Sequence, residues 1–381
     1  MKWFLQILFF TFSITIYAQV DNLSWADSLY EKGDINLVLV KLDSLYNENP
    51  NNENIIVKLG DSYYQLNMLT DAMYFYNKAL RINPNSIRSL IGIARVEFID
   101  GNINSAKILL DKVVKLNPNL FTPYSILGKI YFMKNDMERS KYYFHKSLQV
   151  DSTNVESLTN LGLIFQTVGD KILAEKYLKE AVKFHPKNQI ALMNLGVYYG
   201  AIGRNHEAII LLNDALKIDP SNPKVYLSLG INYLGNKIFS EAKKYFNKVL
   251  ELDNLNIDAK YYLFLINFEI KSFSKAIKAG NAIAHIKDNY PQLHLILSNI
   301  YFIQNNTNKA IIEAKKELNY FPEEIEAYYL LASLYKSKGD TNNFKIMKNR
   351  ILNNFGIEYQ DLMIDKNIAN NKINKSFNIN N

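Results

Sequence analysis

The residues in this chain best suited to acid–base or metal chemistry near neutral pH are its five histidines, His145, His185, His206, His285 and His294. A helical zinc site of the HExxH type needs two of them four apart, and no pair has that spacing. They fall at different points of the periodic pattern described below, which predicts surface or turn histidines. Cysteine is absent, and with it disulfides, zinc–thiolate sites, thiol nucleophiles and a lipoprotein anchor. The sequence has no P-loop, no dinucleotide glycine fingerprint and no nucleophile elbow. It therefore predicts no catalytic residue, no metal ligand and no cofactor. What remains is recognition, which depends on how the chain arranges its apolar and charged side chains.

That arrangement is periodic. In the stretch 189–222, Leu192, Leu195, Gly196 and Tyr199 share one helical face, Gly203 breaks the helix, and Ala208, Leu212 and Ala215 mark a second helix that Asp219-Pro220 stops. Prolines at Pro50, Pro84, Pro118, Pro186, Pro220 and Pro322 are separated by 34 residues or multiples of 34, and the skipped slots hold the turn formers Ser152, Asn254 and Asp288. A small residue recurs in the first helix at Ala26, Gly60, Ala94, Gly128, Gly162, Gly196, Gly230, Ser298 and Ala332. The second helix repeats Ala72, Ala106, Ala174, Ala208, Ala242, Ala276 and Ala310. A hairpin of this size cannot bury its apolar face alone, so such units must stack.

The pattern resembles the tetratricopeptide repeat, whose 34-residue signature places small residues where paired helices touch. The resemblance implies an all-α, right-handed superhelical solenoid of about ten helix-turn-helix repeats. Residues 19–52 read as a degenerate N-terminal capping repeat, 53–256 as regular repeats two to seven, and 291–358 as repeats nine and ten with a C-terminal cap. Repeat eight, 257–290, departs most. Phe264 takes the small position and Gly280 the large one, either as a volume-conserving swap or as a local change of curvature. Residues 359–381 form an Asn- and Lys-rich tail expected to be largely disordered.

Residues 1–18 read as a secretory signal: Lys2 opens it, an uncharged and mostly apolar run follows, and Ala18 offers a small residue for cleavage. An uncleaved membrane anchor is the alternative, since the uncharged run continues to Val20. Either way the expectation is an exported protein, periplasmic or at the cell surface, without disulfides.

In tetratricopeptide arrays the first helices line a concave groove, and the resemblance carries its floor onto fixed repeat positions here. Arg95, Lys129, Leu163, Val197, Ile231 and Leu265 stand at one of them, polar at the flank and apolar at the centre. Met193, Leu227 and Tyr261 stand at a second, and Phe98, Phe132, Leu234 and Phe268 at a third. Asn160 and Asn194 are the only members of an asparagine ladder, and a lysine-based carboxylate clamp is missing. Such a strip suits an amphipathic helix or an extended apolar peptide, and the same side chains would also serve to pack neighbouring first helices.

The formal charge is +7, and lysine recurs at one position of the second helix as Lys78, Lys112, Lys146, Lys248 and Lys316. Regular spacing without interleaved stacking aromatics reads as a solvated face and not as a nucleic-acid site. The function expected from the sequence is a non-catalytic scaffold holding protein partners in the groove. The alternative is a structural or polymer-handling accessory that touches membrane, glycan or an outer-membrane protein through its basic face.

Overall fold

The structure is a computed structural model that describes residues 23–31 and 33–359. The signal-like start and all of the tail except Tyr359 lie outside them. Among the described residues there are 20 α-helices in ten consecutive pairs and no strand.

The chain divides into two units, one ending at Phe184 and the other starting at His185. The first holds the pairs α1 (Ser24–Glu31) with α2 (Ile35–Glu48), α3 (Glu53–Gln65) with α4 (Leu69–Ile82), and α5 (Ile87–Ile99) with α6 (Ile103–Leu116). It continues with α7 (Phe121–Met133) and α8 (Met137–Val150), then α9 (Val155–Thr167) and α10 (Lys171–Phe184). The second unit begins with α11 (Gln189–Ala201) and α12 (Asn205–Ile218), followed by α13 (Pro223–Gly235) and α14 (Phe239–Leu252). Next come α15 (Ile257–Glu269) with α16 (Phe273–Ile286) and α17 (Leu293–Ile303) with α18 (Thr307–Tyr320). The pair α19 (Ile325–Lys338) and α20 (Thr341–Phe355) ends it. Within each unit a second helix packs on its partner and on the first helix that follows.

The 34-residue rule has a direct steric basis. A Cβ added at Gly60 would lie 2.7 Å from the Tyr76 ring, at Gly128 2.7 Å from Phe144, and at Gly230 2.5 Å from Phe246. Each first helix gives up a side chain so that one large buried side chain of its partner can lie against its backbone. Repeat eight reverses the assignment: Phe264 is fully buried, and a Cβ on Gly280 would meet its ring at 3.1 Å and Leu297 at 2.8 Å. The large residue of the first helix therefore lies against the glycine of the second.

Backbone chemistry repeats as faithfully. Every turn between paired helices places one residue in the left-handed region: Gly33, Asn67, Gly101, Asn135, Gly169, Gly203, Lys237, Lys271, Asn305 and Gly339. This conformation ends a helix and returns the chain antiparallel. Five of the ten first helices start on an asparagine in the same register: the side chains of Asn52, Asn154, Asn188, Asn222 and Asn256 accept backbone N–H groups of the first turn. Parallel ring pairs brace several hairpins, as in Tyr63 with Phe75, Tyr131 with Tyr143, Phe165 with Tyr177 and Tyr233 with Tyr245.

Candidate functional site

In the first unit the row named from the sequence is half polar, and Asp61 stands at the same position one repeat before Arg95. Asp61 accepts hydrogen bonds from the Tyr76 hydroxyl at 2.9 Å and from Arg88 at 2.8 Å, while Lys129 pairs with Glu156 of the following repeat. Asp27 pairs in the same way with Lys58. Ionic groups at this level thus join consecutive repeats. Arg95 is exposed, and Phe98, Phe132, Asn160 and Leu163 are half-buried. The Asn160 side-chain amide donates to the Glu156 carbonyl at 2.7 Å, which makes it a local brace.

In the second unit the row is apolar and its exposure is uneven. Met193, Asn194, Leu227, Ile231 and Tyr261 are half-buried, and Val197 is 38% exposed. Leu234, Leu265 and Phe268, expected from the sequence on a groove floor, are instead buried. Leu234 belongs to the cluster of Ala242, Phe246, Val249 and Ile266; Leu265 and Phe268 lie in that of Phe264, Ala276 and Ile283. An apolar side chain at those positions reaches the seam between repeats and gains more from burial there than from facing solvent. Tyr261 also leans on Tyr290, with centroids 4.6 Å apart.

The lysine row is engaged as well. Lys78 donates to the Tyr46 hydroxyl, Lys112 donates to the Pro84 carbonyl at 2.7 Å, and Lys146 lies over the Tyr142 ring. Lys248 pairs with Glu251 at 2.7 Å and Lys316 lies 3.6 Å from Glu313.

One histidine contradicts the expectation of surface or turn positions. His294 is fully buried. Its Nδ1 lies 2.6 Å from a Glu313 carboxylate oxygen, and its Nε2 lies 3.0 Å from the Asp288 carbonyl and 3.1 Å from the Asp288 carboxylate. Both ring nitrogens face acceptors only. A neutral imidazole would turn one lone pair onto an oxygen, so the geometry fits the doubly protonated ring. Burial by itself would lower the imidazole pKa; the Glu313 hydrogen bond and the Glu313 and Asp288 charges outweigh it, and the net shift is upward. The Tyr320 hydroxyl donates to the other Asp288 oxygen at 2.6 Å, which helps hold that carboxyl below its usual range.

Beside it, Glu317 is also fully buried and accepts three backbone N–H groups: Gln292 at 2.9 Å, His294 at 3.1 Å and Leu295 at 3.1 Å. These are unpaired amides at the start of α17, and the carboxylate faces the positive end of the helix dipole. Burial pushes its pKa up, against the three amide bonds. Tyr290 stands where the asparagine cap of other repeats would be, so α18 supplies the cap instead. Sequence reasoning missed this cluster, and the loss of asparagine at that slot does not mark it, since Ser86, Leu120 and Glu324 stand there in other repeats. Among the described residues no group of acids and histidines has the arrangement of a metal site, and no helix is long and apolar enough to cross a membrane.

Paired helices, left-handed turns and small-against-large packing define an all-helical repeat protein. Family models described as tetratricopeptide repeat match residues 159–223, and 54–86, 223–254 and 325–347, so these stretches are similar to that repeat. The crystal structure of the APC/C hetero-tetramer Cut9-Hcn1 aligns over 77% of this chain with a TM-score of 0.60 at 18% identity, and the alignment spans 58% of that chain. A tetratricopeptide repeat protein from Parabacteroides merdae ATCC 43184 aligns over 68% of this chain and 96% of its own, with a TM-score of 0.50 at 16% identity. At these identities the likeness is one of fold. No curated protein matches the chain.

Proposed function

We propose that this chain is a non-catalytic scaffold whose first helices hold a peptide or helical segment of a protein partner. The supporting observation is the row Met193, Val197, Leu227, Ile231 and Tyr261 in the second unit. There, apolar side chains at repeating positions keep part of their surface in solvent although the core beneath them is filled. Leu163 has the same character in the first unit. Apolar side chains left open in register suit a partner that buries area without needing matched charges. The start of the sequence supports an exported location, so the partner belongs to the cell envelope in this reading. The alternative accessory role through the basic face has less support, because Lys248 and Lys316 are paired with glutamates and the row is not a continuous basic surface.

The test is a triple variant, Leu163→Glu, Val197→Glu and Ile231→Glu, none of which is fully buried. Circular dichroism and thermal melting must first show it folded. A photo-crosslinking side chain is then placed at Met193 and, as a control, at Ile210 on the second helix of the same repeat. An adduct with one discrete envelope protein at Met193 and not at Ile210, lost when the three glutamates are added, supports the proposal. Equal adducts at both sites, or none lost in the variant, would remove it.

A further inference from the structure

The solvent face of the second helices in repeats two to four carries a pattern that the first-helix row does not explain. Tyr74, Ile108 and Tyr142 stand one repeat apart on α4, α6 and α8, and they are 60%, 70% and 56% exposed. Eight residues further along the same helices stand Ile82, Leu116 and Val150, 43%, 41% and 39% exposed. Lys78, Lys112 and Lys146 lie midway, at i+4 from the first row and i−4 from the second, so each helix presents an apolar, cationic, apolar line along one face. The line is broken on either side of this block: repeat one has Ser44 at the lysine position, and repeat five has Lys176 and Glu180.

These three lysines differ from the two in the second unit. Lys248 and Lys316 have glutamate partners, whereas Lys78, Lys112 and Lys146 have no carboxylate partner among the described residues. Lys78 and Lys112 each spend one donor on an oxygen of the preceding repeat, which fixes the direction of the ammonium and leaves its other donors free. The result is three cations without carboxylate partners among the described residues, two of them oriented by a hydrogen bond, held between two rows of exposed apolar side chains.

We infer that the Tyr74–Ile108–Tyr142 face is a second docking surface, and that it takes an acidic amphipathic helix of a protein partner lying across α4, α6 and α8. The spacing sets the partner's pattern. Consecutive second helices are joined through the first helix between them and not by close packing on one another, so a crossing helix meets them at intervals no shorter than the roughly 10 Å of a packed pair, which an α-helix spans in about seven residues at 1.5 Å per residue. Carboxylates no closer than every seventh residue would meet the lysines in turn, and apolar residues on both sides of that acidic line would cover the two apolar rows. A flat anionic membrane fits less well, since it rewards contiguous apolar surface with cations at the rim, and here the cations lie between the apolar rows. This surface is independent of the first-helix row, so failure of one proposal leaves the other standing.

The test uses the full chain and a synthetic 21-residue helical peptide with glutamate at every seventh position between leucines, and a second peptide with glutamine in place of glutamate. Fluorescence anisotropy of labelled peptide is read at low and at physiological salt, and flotation with phosphatidylglycerol vesicles is run alongside. The expected result is that the acidic peptide binds at least tenfold more tightly than the glutamine peptide and that the preference shrinks with salt. The variant Lys78→Glu, Lys112→Glu and Lys146→Glu should weaken the acidic peptide about tenfold and favour a lysine version of it. Tyr74→Ser with Ile108→Ser should weaken both original peptides. Tyr74 and Ile108 are exposed and the three lysines half-buried, so unchanged melting of each variant must show that the fold is intact. No preference between peptides, no effect of charge reversal, or binding to vesicles without binding to peptide would each overturn the inference.

Discussion

The ring of Phe264 lies 3.1 Å from the point where a Cβ on Gly280 would be, so the first and second helices of repeat eight have exchanged the large and small residues of their neighbours. This relationship predicts non-additivity. Phe264→Ala should cost about 3 to 5 kcal/mol through the cavity it leaves. Gly280→Leu should cost about 1 to 3 kcal/mol by overpacking against Phe264 and Leu297. The double variant should recover at least about 1 kcal/mol relative to the sum. Urea unfolding of the four proteins measures the coupling; strict additivity would mean that the two positions do not share a volume.

The His294 cluster predicts a pH profile with a defined sign. Its folded imidazole is raised above the ordinary value of 6.5, so its contribution is complete below that value and is lost as pH rises through the folded one. Glu317 is raised as well and sheds stability in the same direction, beginning in the acid range near its ordinary 4.5. Asp288 is lowered and acts in reverse: its contribution is present above the ordinary 3.8 and disappears as pH falls through its folded value. Thermal melting between pH 5 and pH 9 should show a decline toward alkaline pH in the native chain. In His294→Gln that limb should flatten; an unchanged limb would assign it to other groups.

Glu317 is expected to be more sensitive than an exposed cap. Glu317→Ala leaves three amides at the start of α17 without acceptors and should cost about 2 to 4 kcal/mol, above the roughly 1 kcal/mol typical of a single N-cap. Hydrogen exchange locates the effect: the amides of Gln292, His294 and Leu295 should lose protection before those of α11 do.

Lys271 holds the left-handed turn position that Gly203 holds two repeats earlier, at φ near 59° and 82° respectively. A lysine there carries a steric cost of about 1 to 2 kcal/mol that glycine avoids, partly offset by the greater freedom of glycine in the unfolded chain. Lys271→Gly should therefore stabilise by about 0.5 kcal/mol, read as a higher urea midpoint at unchanged slope. The opposite exchange, Gly203→Val, should destabilise, because a β-branched residue tolerates this conformation least.

The stacking pattern could be read in advance because it is local and repeated: Gly128 against Phe144 or Gly230 against Phe246 is one rule written many times. The candidate row was harder, because Ile231 and Leu265 occupy equivalent places with similar side chains, and only the filling of the adjacent seam decides which stays open. His294 and Glu317 were invisible for another reason. Glu317 lies 22 to 25 residues from the amides it caps, and His294 takes its partners from a turn and from the next helix. No short motif encodes an acid on one helix completing the start of another. The lysines Lys78 and Lys112 were legible as a row, but whether they had counter-charges was not.

The cap that α18 lends to α17 also limits how this array can be rearranged. A repeat that begins on its own asparagine carries its starting instructions with it, and can be duplicated or excised by recombination with little loss. Repeat nine has moved that instruction into its second half, and the neighbouring His294 is tied to Asp288 at the end of repeat eight. Gene-level shuffling that cuts between α17 and α18 would deliver a fragment unable to start its own helix. A cut between Asp288 and His294 would leave that start intact but strip the buried imidazole of one of its two acidic partners, so repeat nine can be exchanged only as a whole.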